Sequence, residues 1–187
     1  MSSPLDNNSN AIWFVLRDLK RSNSKHQAYR LLEEMEKEVF TPKKWQIRVE
    51  KGKQIRREVP CIPDLLFVRD TREQLDPVIE DIPTLQYRWV RHKYREPMVV
   101  SDTEMERFIR AVRSTESPKY YLPEEITPAM LNRRIRIVGG MLDGYEGTLV
   151  TPRGSKVKRL LVQLPVVVAL AVEVNPDYIQ FIDNICL

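Results

Sequence analysis

Glycine is scarce in this chain, with six in 187 residues, and four of the six, Gly139, Gly140, Gly144 and Gly147, fall within the short stretch "GGMLDGYEG". A glycine-rich phosphate loop is absent, and so is a G-x-S-x-G nucleophile turn. Cysteine is scarcer still. Cys61 and Cys186 are too few and too far apart for a disulfide framework or a zinc site, and His26 and His92 stand at no metal-ligand spacing from either. No metal or other cofactor is expected. Long apolar runs are also lacking: the longest, "LLVQLPVVVALAV", is interrupted by Gln163 and Pro165 and is shorter than a membrane-spanning helix requires. No charged-then-apolar leader opens the sequence, so a reduced, cytoplasmic setting without membrane contact is the expectation. Nor does one sign of charge dominate. The 30 Lys+Arg exceed the 26 Asp+Glu by four, a mildly basic balance that permits phosphate contact without requiring it. Paired acids such as Glu33 and Glu34 belong to a solvated helix face, and nothing in the sequence argues for an enzyme.

What remains is patterned. Residues 1–10, "MSSPLDNNSN", are polar and read as a disordered lead-in. Ile12 to Leu16 form an aromatic and β-branched run that suits a buried strand. Ser24 and Gln27 stand in capping-box spacing before Ala28, Leu31, Leu32 and Met35, which predicts an amphipathic helix over 25–38. Trp45, Ile47 and Val49 then alternate with polar residues, and Gly52 separates them from a second run, predicting a β-hairpin with a charged tip. "DLLFVRD" reads as another buried strand, "LDPVIEDI" as a short helix with Pro77 in its first turn, and "YRWVR" as a further strand. Ser101 and Glu104 repeat the capping box before Met105, Phe108, Ile109 and Val112. Pro118, Pro123 and Pro128 interrupt residues 114–129, which read as a linker. After it come only short strands, "RIRIV", "GTLVT", "RLLVQL" and "ALAVEV", which a small barrel would close. The expected fold is therefore α+β: a domain over 11–113 with an antiparallel sheet flanked by helices, the linker, and a small β-barrel over 130–187. The clustered glycines, Gly140, Gly144 and Gly147 among them, serve this barrel as an exposed turn and a kink where the next strand begins.

The stretch "RRIRIVGGMLDGYEGTLV" resembles a KOW motif, and "LAVEVNPDYIQFI" looks like the end of the SH3-like barrel that bears it in NusG proteins. The N-terminal elements extend the likeness to residues 11–185: "IWFVL" resembles the family's opening "WYVV" strand, "CIPDLLFV" its "FFPGYVLV", "IPTLQYRWV" its "VPRVxGFIG", and "MVVSDTEMERFI" its "APISDKEVDAI". The resemblance implies a monomeric elongation and antitermination factor that binds the clamp helices of the largest RNA polymerase subunit through an apolar hollow on the sheet of the N-terminal (NGN) domain. By position that hollow is lined by Trp13, Ile62 and Leu65, with plain core packing as the alternative. The family's specialised members also approach the non-template DNA strand near the first strand and helix, where Arg17, Lys20, Arg21, Lys25 and His26 lie; an ordinary solvated charge cluster is the alternative there. Tyr145, Pro165 and Val166 fall in loops resembling the barrel surface that meets the termination factor Rho or a small-subunit ribosomal protein. Departures at Cys61, Ile62, Asp64 and Leu65, and "LPVVVA" in place of an Ile-Phe-Gly loop, point to a specialised paralogue of the RfaH or UpxY kind, serving long operons such as surface polysaccharide clusters. A ribosome-associated RNA-binding protein using the KOW barrel alone is the other reading.

Overall fold

A computed structural model describes residues 10–19, 27–116, 118–151, 157–165 and 167–182. The chain divides into two compact units, Met1–Asp102 and Thr103–Leu187.

The first unit is built on β1 (Ile12–Asp18), whose apolar run is buried from Trp13 to Leu16. Antiparallel pairing on one side is to β5 (Leu65–Asp70), with Val15 opposite Phe67. Asp18 ends the strand and turns the chain: its Oδ2 accepts a hydrogen bond of 2.8 Å from the Ala28 backbone N–H, at the start of α1 (Ala28–Glu34). The helix is shorter than the expected 25–38. Glu36 adopts the left-handed conformation, φ 58°, which ends helical hydrogen bonding and lets β2 (Glu38–Phe40) pair with β5. Ser24, the expected cap, lies outside the described residues.

The expected hairpin forms from β3 (Lys43–Glu50) and β4 (Lys53–Pro60), a separate two-stranded sheet. Its tip, Lys51 and Gly52, has positive φ at both positions, as the tight turn matching strand twist requires. α2 (Arg72–Asp81) begins three residues before the expected start, because Thr71 Oγ1 accepts from the Gln74 N–H; Pro77 therefore sits inside the helix and not in its first turn. β6 (Leu85–Tyr87) and β7 (Val99–Val100) occupy different stretches of the other edge of β1. The expected strand "YRWVR" is thus strand only at its first residue. Strand parity puts Phe14, Leu16, Leu66 and Val68 on one sheet face, packed with Leu32, Leu75 and their neighbours of α1 and α2.

α3 (Asp102–Arg113) begins at the division and, apart from its first residue, belongs to the second unit. Of the residues in its expected apolar pattern, Met105 and Phe108 are buried and Ile109 and Val112 half-buried; Ala111 is buried as well. The segment expected as a linker is not featureless. It holds β8 (Lys119–Tyr121), which pairs antiparallel with Ala169, Leu170 and Ala171, and two 3₁₀ turns at Pro123–Glu125 and Pro128–Met130. The three prolines flank the paired residues and so remove no ladder donor. β9 (Leu131–Ile137), β10 (Glu146–Val150), β11 (Arg159–Leu164), β12 (Val168–Glu173) and β13 (Ile179–Phe181) complete an antiparallel sheet. Its order is β13-β9-β10-β11-β12-β8. The architecture is α+β, with a C-terminal sheet domain.

Candidate functional site

The β1–β5 register places Trp13 and Leu65 on one sheet face together with Val15 and Phe67, opposite the face that α1 and α2 cover. Ile62 sits half-buried in the turn before β5, where the Leu65 N–H donates to the Ile62 carbonyl at 3.2 Å. Thr41 Oγ1 donates to the Leu65 carbonyl at 2.9 Å and fixes the strand's entry. The structure brings the three expected residues to one region, but the hollow is not open. Trp13 is 4% exposed and Leu65 1% exposed. Burying each such side chain is worth about 1.5–3 kcal/mol, so an apolar row of this size is not left in water.

Of the basic cluster, Arg17 alone is described; Lys20, Arg21, Lys25 and His26 lie outside the described residues. Arg17 is exposed near the end of β1, its Nε 3.5 Å from Asp64 Oδ2. The same oxygen accepts from Arg88 Nη2 at 3.2 Å. Two guanidinium groups thus share one carboxylate, which leaves an excess of positive charge beside β1. Asp64 is one of the positions that depart from the family pattern, and this shared pairing gives it a role in place of the usual glycine.

In the second unit Tyr145 is not a surface residue. It is 4% exposed, its hydroxyl donates to the Arg107 carbonyl at 3.0 Å, and the Arg107 guanidinium lies 5.0 Å from the ring centroid. Burial pushes its phenol pKa up. The turn that places it inward runs through Leu142, whose carbonyl accepts from the Tyr145 N–H. Pro165 is exposed, and Val166 lies outside the described residues. Gly140 and Gly144 have φ of +70° and +77° and form the expected turn. Gly147 has a different task, since a Cβ there would lie 2.6 Å from the Leu161 carbonyl oxygen. Close strand packing, not a kink, requires it.

Two features escaped the sequence reading. Met141 and Tyr178 are exposed around a cavity of about 190 Å³ whose lining includes the buried Ile137 and Leu142. Exposed apolar residues inside a turn carry no periodicity that would flag them. The second is the loop between β6 and β7, where Trp89 and Tyr94 are exposed among Arg91, Lys93 and Arg95; its alternation of aromatic and basic residues resembles a strand. Among the described residues no three His, Cys, Asp or Glu side chains converge as a metal site, and no helix is long and apolar enough to cross a membrane.

Comparison with known proteins bears on residues 11–109, which match the NusG family model, described as transcription termination factor nusG. No protein of curated function matches the chain. Among solved structures, one from Thermotoga maritima, titled "Domain interaction in Thermotoga maritima NusG", is similar at 13% identity with a TM-score of 0.46, covering 92% of this chain and 98% of that one. The family match spans more than half of the sequence, from β1 through most of α3, and takes in the face that carries Trp13 and Leu65. The chain therefore belongs to the NusG family.

Proposed function

We propose that this protein is an elongation and antitermination factor that holds the clamp helices of the largest RNA polymerase subunit, acting without bond chemistry. The observation that carries the reading is the family match over residues 11–109, which includes the apolar row of β1 and β5. A reading based on the KOW barrel alone leaves those residues without a role. In this account Ile62, accessible at the turn before β5, meets the clamp helices first, and Trp13 and Leu65 shape the surface beneath. Differential affinity for the closed, processive clamp would then favour that state. Arg17, with Lys20, Arg21, Lys25 and His26, serves the non-template DNA strand through phosphate contacts that added salt weakens. Pro165 and Val166 offer the C-terminal domain a second partner, either Rho or a small-subunit ribosomal protein, while Tyr145 is buried against Arg107. Departures at Cys61, Ile62, Asp64 and Leu65 favour recruitment to particular long operons over general service.

The test is capture of RNA polymerase by the full chain carrying Ile62→Asp. Capture should be lost while a cooperative thermal transition remains. Wild-type capture in that variant removes the clamp assignment.

A further inference from the structure

The loop of residues 88–98 is built as a display. Its base is held by the Met98 N–H donating to the Arg88 carbonyl at 2.7 Å and the Val90 N–H donating to Glu96 at 2.8 Å, with a bridge between Trp89 and Pro97. Its tip contains two non-glycine residues in the left-handed region, His92 at φ 67° and Arg95 at φ 48°. Each such residue costs on the order of 1 kcal/mol, and backbone strain of this kind is found where side chains are held out for use.

What is held out is an aromatic ring among cations. Tyr94 is 89% exposed, so it adds almost nothing to the core. The Arg95 guanidinium lies 5.4 Å from its ring centroid. Trp89 is half-exposed at the base, its ring 5.5 Å from that of Tyr87. Glu96, the loop's one acid, is bound to Lys93 at 2.7 Å, and Arg91 and Arg95 form no ion pair among the described residues. Arg88, at the foot of the loop, shares Asp64 with Arg17.

We propose that this loop is a binding site for single-stranded nucleic acid, with a base stacked on Tyr94 and the flanking phosphates on Arg91 and Arg95. An acidic peptide would satisfy the cations but has no use for the ring. A duplex supplies phosphates but hides its base faces. Only an unpaired strand offers both a π-face and a regular row of charges. The site is independent of the polymerase reading, because bare oligonucleotide is the probe.

The experiment titrates the full chain into labelled oligo-dT and oligo-rU of about fifteen nucleotides, and into a duplex of the same length, by fluorescence anisotropy. The single strands should bind more tightly than the duplex, and preference for dT or rU identifies the natural strand. Tyr94→Ala should weaken binding about tenfold, and Tyr94→Phe should stay within about twofold of wild type, since the ring and not the hydroxyl does the stacking. Arg91→Ala with Arg95→Ala should flatten the dependence on salt by a log–log slope of about 1.4. With Tyr94 so exposed, none of these changes should move the thermal transition. Duplex binding as tight as single-strand binding, competition by polyglutamate, or unchanged affinity in Tyr94→Ala overturns the proposal.

Discussion

Gly147 is where one added carbon does most harm. A Cβ there would meet the Leu161 carbonyl oxygen at 2.6 Å and Leu160 Cδ1 at 2.8 Å, and backbone cannot yield as a side chain can. Gly147→Ala should lower stability by about 2–3 kcal/mol in urea denaturation. Gly144→Ala meets nothing within 4 Å and carries only the strain of its positive φ, about 1–2 kcal/mol. The clustering of glycines is visible in the sequence; which glycine serves a turn and which serves packing is not, because the second depends on what lies across the sheet. Tyr145 shows the same limit, since a tyrosine in a glycine-rich turn reads as exposed until Arg107 is found against it. Tyr87 offers a pH test. Burial first, then its hydrogen bond to Asp76 at 2.7 Å, push its phenol well above the ordinary value. The folded state therefore holds this proton more tightly than the unfolded state does. Its contribution is complete below about pH 10 and is lost as the pH rises through the raised value. Denaturation midpoints should fall less steeply from about pH 10 upward in Tyr87→Phe than in wild type, and the variant should be about 1 kcal/mol less stable at neutral pH.

Among the elements, those with several turns or alternations were legible and the shortest were not. α3 follows its i, i+3 pattern, and the hairpin follows its alternation and Gly52. β2 and β8 have three residues each, too few to show a period, and only pairing with β5 and β12 reveals them. α1 illustrates a different failure: its apolar spacing continues to Met35, but Glu36 turns left-handed and stops it. Glu36→Gly should relieve that turn and raise the midpoint of thermal unfolding, by about 0.5–1 kcal/mol of stability. The hairpin's alternation identified an apolar side correctly without saying what covers it. Trp45, Ile47 and Val49 are 50%, 66% and 69% exposed, with Arg56 4.2 Å from the Trp45 ring centroid. Trp45→Ala should accordingly change global stability by no more than about 0.5 kcal/mol in calorimetry.

For the whole molecule, the change of patterning indicated two parts and motif resemblance a family, while the position of the division depends on contacts that no linear pattern encodes. The contact-based division falls at Asp102 and Thr103, ahead of the prolines of 114–129. A fragment starting at Thr103 keeps α3 and β8, and with them the Arg107 carbonyl that Tyr145 requires and the strand that covers the edge of β12. It should unfold cooperatively by circular dichroism, whereas a fragment starting at Met130 should melt early or aggregate. The β3–β4 ribbon bears on a different property, colloidal behaviour. Its apolar stripe is in water and neither of its outer edges is paired within the described sheets, the arrangement by which chains stick edge to edge. Lys43, Lys44, Arg48, Lys51, Lys53, Arg56 and Arg57 oppose only Glu50 and Glu58 along it, so mutual repulsion keeps the ribbons apart. That repulsion reaches about 10 Å at 0.1 M salt and about 3 Å at 1 M. Concentrated salt, which usually discourages the charge-driven clumping of basic proteins, should make this one self-associate, and light scattering across a salt series would register it.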